Sequence, residues 1–206
     1  MCGNTFSQKI SIKQRNETIG KGNNVAIVAT IFEADVTNIA KEWKSLMKDH
    51  DAKVTMGGEI FADNAKIKGF DNTCDVYARI KNVSEGEKEL MVAVDMGGTY
   101  LSGNNPDQIK RIENLMYDFA LKITKEAIAS MLKDAEKKYK KMIKEQETLS
   151  GEKEQMQKDI ENYKLRISQT ESGIAENGKM QEAKKLEIEK QIKTVEEIKE
   201  KLKSVK

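Results

Sequence analysis

Two cysteines, one histidine and one proline in 206 residues exclude several classes of protein at the outset. Cys2 and Cys74 cannot build a disulfide framework, and no Cys-x-x-Cys pair exists for zinc or redox work. Zinc centres draw on several His and Cys ligands, so the lone His50 argues against one. No run of about 18 apolar residues occurs, so no segment is expected to span a bilayer. Charge of one sign is missing too. The formal net charge is +2, and about 23 Lys and Arg face about 20 Asp and Glu from Asp107 onward, so neither half is strongly basic or acidic. Nucleic acid is therefore not expected as the main partner, because phosphate binding needs an excess of cations on one surface.

Aromatics are scarce at 5% while charged residues reach 34%. That charge content exceeds what a globule of this length needs and suits long solvent-exposed helices. The composition favours one ordinary domain plus an extended element over two small domains.

The first residues, "MCGNTFSQKI", begin neither strand nor helix. They resemble the end of an export signal peptide cleaved near Ser7-Gln8, and residues 1–8 are read as such a remnant. Alternatively, Cys2 is the lipidated first residue of a mature lipoprotein. Both readings place the protein in a bacterial envelope, periplasmic or exported; a short disordered N-terminus of a cytoplasmic protein is the remaining alternative.

Residues 9–127 carry mixed strand and helix signals. "KISIKQ" alternates with period two, and the Gly and Asn cluster of "IGKGNN" breaks it. "VAIVATIF", Val25 to Phe32, is a near-continuous β-branched and apolar run suited to mid-sheet with both faces covered. In "ADVTNIAKEWKSLMKDH", Val36, Ile39, Ala40, Trp43, Leu46 and Met47 recur at three and four residues, with Asp35 as cap. Short strands follow, with turns expected at Gly57-Gly58, at Asp63-Asn64 and at Ser84 to Lys88. The expected fold is α+β: a two-layer sandwich with a mostly antiparallel sheet of five or six strands and helices on one face.

At Pro106 the character changes. Proline suits a first helical turn, Asn105 precedes it and Asp107 lies at the positive end of the dipole. Ile109, Ile112, Leu115, Met116, Phe119, Ile123 and Ala127 form a wide stripe for packing on the sheet. From residue 128 the stripe narrows to a seam of alternating three- and four-residue steps: Met142, Leu149, Met156, Ile160, Tyr163 and Ile167, then Thr170 and Ile174, with Gln146 and Lys153 as polar interruptions. This is the pattern of a coiled coil, so residues 128–206 are read as an arm that needs a partner helix. The apolar face lapses through Asn177, Gln181 and Lys184 and resumes with Ile188, Val195, Ile198, Leu202 and Val205. Gly173, Asn177 and Gly178 favour a turn at 172–178 and a helical hairpin; the register kept across the gap suits one uninterrupted helix paired with a second chain.

Several stretches invite a chemical reading. "DMGGTY", Asp95 to Tyr100, has the look of the phosphate-binding turn of sugar kinases and actin-like ATPases. Here it runs into a polar loop and a helix, and fewer than about 100 residues of sheet domain are too few for the paired domains that close around a nucleotide. It reads as the end of a strand. Asp49, Asp51, Asp63, Asp71 and Asp75 lack the spacing of an EF-hand loop, and turns choose Asp for its local hydrogen bonds. His50 has no visible nucleophile, and Cys74 reads as a small core residue. The basic stretch Lys133 to Lys144 offers contact with an acidic membrane surface or a polyanion, but Glu and Asp within it favour a solvated face.

"IFEADVTNIAKEWKSLMKDH", "GGEIFADNAKIKG", "DVYARI" and "MVAVDMGGTYLS", with the C-terminal "ENYKLRI" and "EIEKQIKTVEEIKEKL", resemble a family of exported bacterial proteins in which a small α+β domain precedes a coiled-coil arm. The resemblance rests on core and seam residues and implies no activity. The expected function is a non-enzymatic envelope protein, without cofactor or metal, that associates with itself or another protein through the arm. The alternative is a ligand- or peptide-binding module, with Phe70, Tyr77 and Tyr100 lining the sheet face left uncovered by Trp43 and Phe119.

Overall fold

The apolar runs between Ile12 and Asp95 pair into one sheet because each carries side chains that must leave water on at least one face. The structure, a computed structural model, describes residues 9–204; the expected signal remnant with Cys2, and Val205 of the seam, lie outside the described residues. The strands are β1 (Ile12–Thr18), β2 (Asn23–Phe32), β3 (Lys53–Met56), β4 (Ile60–Ala65), β5 (Cys74–Ser84) and β6 (Glu87–Asp95). Their order in the sheet is β1-β2-β6-β5-β4-β3, with every neighbouring pair antiparallel. Helix α1 (Val36–Asp49) follows β2, and helix α2 (Pro106–Ser204) follows β6.

Strand parity separates the two faces. Ile27, Ala29 and Ile31 of β2, Leu90, Val92 and Val94 of β6 and Val76 and Ala78 of β5 enter the main core. Ile39, Trp43 and Met47 of α1 and Ile109, Ile112, Met116, Phe119, Ala120 and Ile123 of α2 cover that face. Trp43 is 1% exposed and meets Phe119 edge to face, with ring centroids 5.1 Å apart and planes at 80°. Aromatic pairs favour this perpendicular geometry, so the contact locks the two helices together on the sheet.

Local chemistry sets the helix ends. The Asp35 carboxylate accepts from the Asn38 N–H at 2.8 Å, satisfying one of the first-turn donors that an α-helix leaves unpaired. The carbonyl of Asn105 accepts from the Ile109 N–H at 2.9 Å, directly before Pro106. Thr124, the last buried residue of α2, accepts through its hydroxyl from the Phe32 N–H at 3.1 Å, tying the helix to the end of β2.

Two expectations are revised. Asp63-Asn64 does not turn the chain: both residues lie within β4, where the register against β5 shifts between Ala62 and Ala65. Asn64 adopts φ 56°, and its N–H donates to the Asp75 carboxylate at 3.1 Å. An Asn in the left-handed region serves a β-bulge as readily as a turn, and residues 66–73 make the reversal instead. Residues 172–178 are helical, and α2 runs through them. Gly173 and Gly178 each cost a helix about 1 kcal/mol relative to Ala, which neighbours of high helix propensity absorb. Asn177 makes an i,i+4 side-chain hydrogen bond, accepting from Gln181 at 2.6 Å.

By contacts the chain divides at Lys137 and Lys138 into two units. The first holds the sheet, α1 and the packed start of α2. The second is helix through Ser204, and its side chains are exposed almost throughout.

A helical 172–178 has a measurable signature. A methyl group at Gly173 or Gly178 meets nothing within 4 Å, so Gly173→Ala and Gly178→Ala should each stabilise the helix by about 1 kcal/mol. Thermal melts followed by circular dichroism read this directly, and a loss of helix stability in either variant would speak for a turn.

Candidate functional site

The "DMGGTY" turn closes on itself. Asp95, 5% exposed at the end of β6, accepts through one carboxylate oxygen from the N–H of Gly97 at 3.1 Å and of Gly98 at 2.6 Å. The Met96 N–H donates to the Thr99 carbonyl at 2.9 Å, and the Leu101 N–H to that of Val94 at 2.8 Å. The consecutive amides that a phosphate cradle would present are thus spent on the protein's own carboxylate. Gly97 and Gly98 hold φ of 94° and 97°, a region that suits glycine alone. The turn reverses the chain so that Tyr100 pairs with Asp95 in an isolated bridge.

That reversal delivers Tyr100 to the sheet face opposite the helices. There Ala26 and Val28 of β2, Tyr77 of β5, Met91 and Ala93 of β6 and Ile19 form a second buried cluster, with Phe61 and Tyr100 packed against it. Phe61 stacks on Tyr77 at 4.8 Å, and Tyr100 lies 6.1 Å from Tyr77 on a tilt. The turn between β1 and β2 folds over this cluster. The Lys21 N–H donates to the Tyr100 hydroxyl at 2.9 Å, and the Gly20 N–H to the Glu59 carboxylate at 3.0 Å. Gly20 holds φ 66°, and a side chain there would collide with the Tyr100 hydroxyl.

Charged pairs finish the cover. Arg15 reaches Glu89 through both terminal nitrogens, at 3.2 and 2.7 Å, and Glu17 through Nε at 2.5 Å. Arg79 bridges Glu59 and the Thr18 carbonyl. A fork matched to carboxylates gives such pairs defined geometry, so the arginines tie β1 to β6, and β5 to β1 and to the residue that precedes β4. The sequence reading missed Arg15, Glu17, Glu59, Phe61, Arg79 and Glu89. Period-two alternation in "IKQRNET" sets Arg15 and Glu17 on one face, but no local pattern reveals Glu89 as their partner.

The three aromatic ligand candidates do not form one site. Tyr77 and Tyr100 meet in the second cluster, where Tyr77 is 9% exposed, whereas Phe70 packs against the main core on the helix side. Phe70 borders a hollow of about 450 Å³ formed by His50 and residues 66–73. Its rim mixes Lys66 and Lys68 with Asp71, so no charge of one sign selects an ion. A groove of about 200 Å³ between α1 and α2 is smaller than the roughly 300–1,000 Å³ of ordinary ligand pockets.

The remaining candidates serve local structure. His50 ends α1 and places Nδ1 3.2 Å from the Lys66 carbonyl. Burial pushes the Cys74 thiol up to about 11, with the charge of Asp75 adding to the effect, so the reactive thiolate is suppressed at neutral pH. Asp51 pairs with Lys66 at 3.2 Å, Asp63 accepts from the Asn64 amide at 2.8 Å, and Asp75 supports the bulge. Among the described residues no group of three or more His, Cys, Asp and Glu is placed to hold a metal ion, and no helix is long and apolar enough to cross a membrane.

The seam residues lie on α2 with no cover of their own. Met142, Leu149, Met156, Ile160, Tyr163, Ile167, Ile188, Val195 and Leu202 are each between 40% and 76% exposed. No family model, curated protein or solved structure matches this chain.

Replacing Asp95 by Ala should cost about 1.5–3 kcal/mol, because two amides lose a charged acceptor, and should leave the response to ATP, measured by calorimetry, as flat as in the wild type. A nucleotide signal in the wild type that the variant loses would restore the phosphate reading. Burial first, then the charges around it, pushes the Tyr77 phenol from its ordinary value of 10.0 up to about 12. Its neutral form is the one favoured by folding, so its contribution is complete below pH 10 and is lost as pH rises toward 12. Absorbance titration of tyrosinate alongside denaturant melts should show one late phenol and falling stability in that window. Tyr77→Phe should remove that phenol's share of the slope.

Proposed function

We propose that this protein is a non-catalytic association module of the bacterial envelope, in which an α+β unit is joined to a helical arm that pairs with another helix as a coiled coil. The observation that carries the reading is the exposure of the seam: from Met142 to Leu202 its apolar side chains are 40% to 76% exposed. Burying a Leu, Ile or Met side chain is worth about 1.5–3 kcal/mol, so a stripe repeated over many turns is a strong drive to associate. Most of its flanking residues are charged or polar, which keeps the unpaired helix soluble and frames the seam in the manner of a coiled coil. Asp95, His50, Asp51, Asp63 and Asp75 engage the protein's own backbone and side chains. The envelope location is part of the proposal, and the family resemblance supports it.

Ile160→Lys combined with Ile167→Lys tests the reading without touching the sheet unit. The wild-type chain should sediment above 23.3 kDa, or bind a partner helix, at micromolar concentration; the double variant should be a monomer with reduced helix content and an unchanged Trp43 unfolding transition. A wild-type monomer whose helix content is independent of concentration and unaffected by the two lysines would end the proposal.

A further inference from the structure

The seam also carries information about what covers it. With Met142 at heptad position d, the a positions include Lys153, Ile160, Ile167, Ile174, Gln181 and Ile188, and the d positions include Met156, Tyr163, Thr170, Asn177 and Lys184. Apolar and polar layers are therefore segregated. A block from Met156 to Ile174 is apolar apart from Thr170, and the next three layers, Asn177, Gln181 and Lys184, are polar.

Antiparallel pairing matches a layers with d layers. An antiparallel pair overlapping along the whole seam sets Ile167 against Asn177, Tyr163 against Gln181 and Ile160 against Lys184. A hairpin turning at 172–178 sets Ile167 against Lys184 and Ile160 against Gln191. Either arrangement desolvates polar groups against side chains that offer no hydrogen bond, which costs more than pairing polar with polar. Sliding the antiparallel pair by two heptads relieves most of these clashes. It then gathers Lys164 and Arg166 of both chains around the twofold axis, while Val195, Ile198 and Leu202 face Ala135, Leu132 and Ile128 of the other copy.

A parallel pair in register sets no apolar layer against a polar one, since each layer faces its own copy. Apolar layers meet apolar ones, and Lys153, Asn177, Gln181 and Lys184 meet themselves, at a cost in stability that specifies register. The flanks agree. Residues at g face residues at e of the next heptad across a parallel interface, which brings Asp159 to Lys164 and Arg166 to Glu171 of the other copy, on both sides of the apolar block. Between residues 138 and 204 no such pair is like-charged.

We propose that the occupant of the seam is a second copy of this chain, parallel and in register, making a two-stranded coiled coil centred on Met156 to Ile174. The inference rests on the coiled-coil reading of the arm and adds partner and orientation to it. Isologous pairing suits a seam whose charges complement themselves.

Site-specific cross-linking of the full chain tests it. In a Cys2→Ser background, Gln146→Cys and Ile198→Cys are introduced separately, and each protein is oxidised and run without reductant. Each single variant should form a covalent dimer, and sedimentation of the unmodified chain should give twice 23.3 kDa. Cross-linking seen only when the two variants are mixed would mean an antiparallel pair and would overturn the inference while keeping the association reading. A mass of three chains overturns the stoichiometry. A monomer overturns the inference, and if that monomer is also indifferent to the two seam lysines the association reading fails with it. Arg166→Glu supplies a second readout. It should weaken the dimer about tenfold, and adding Glu171→Arg should restore it, a rescue that the five-residue spacing within one helix does not explain.

Discussion

Strands β2 and β6 bury side chains on both faces, and the rest of the sheet unit is arranged around that fact. Ile27, Ala29 and Ile31 point one way and Ala26 and Val28 the other, with Leu90, Val92 and Val94 against Met91 and Ala93 on the neighbouring strand. Such strands have no face to show to water, so two covers are required. The helices α1 and α2 supply one, locked through Trp43 and Phe119. The β1–β2 turn, Tyr100 and the arginine–carboxylate pairs supply the other.

The second cover explains why the most suggestive motif in the chain is structural. Asp95 consumes the amides of Gly97 and Gly98, the turn reverses, and Tyr100 is set down on Tyr77, under the backbone of Gly20 and Lys21. A carboxylate, two glycines and an aromatic are required there by backbone geometry and by the need to close an apolar surface. The same residue types would be required by a nucleotide site, which is why the motif misleads when read alone. The surface that the ligand reading needed is the surface that this turn and the β1–β2 strap occupy.

The arm obeys the same hydrophobic demand with a different outcome. In the sheet unit the apolar stripes of β2, β6 and α1 find their cover within the chain, as the wide stripe of α2 does up to Ile123. Past that point the helix carries an apolar seam that the described chain does not cover, framed by charges of both signs. That uncovered seam is the observation on which the proposed association rests.

Much was legible locally. The helical periodicity around Trp43, the cap at Asp35, the helix start at Pro106 and the doubly buried run at Val25 to Phe32 each depend on neighbours within a few residues, and each stands in the structure. Asp63-Asn64 was read as a turn because a bulge and a turn ask for the same left-handed backbone, and only pairing with β5 distinguishes them. At residues 172–178 composition favours a turn and the register an uninterrupted helix, because composition cannot weigh two glycines against the helical preference of the residues around them. The two covers of the sheet were not equally visible: amphipathic helices announce themselves by period, whereas the contact between Lys21 and Tyr100 joins residues far apart in sequence and leaves no pattern. The sequence by itself therefore determined most of the secondary elements, the residues facing the helix-side core and the apolar stripe of the long helix, because these follow from the spacing of apolar side chains. Only the tertiary structure decided the strand order, the meaning of "DMGGTY" and the closure of the second sheet face, because these depend on which distant backbone and side-chain groups satisfy one another's hydrogen bonds once water has been excluded.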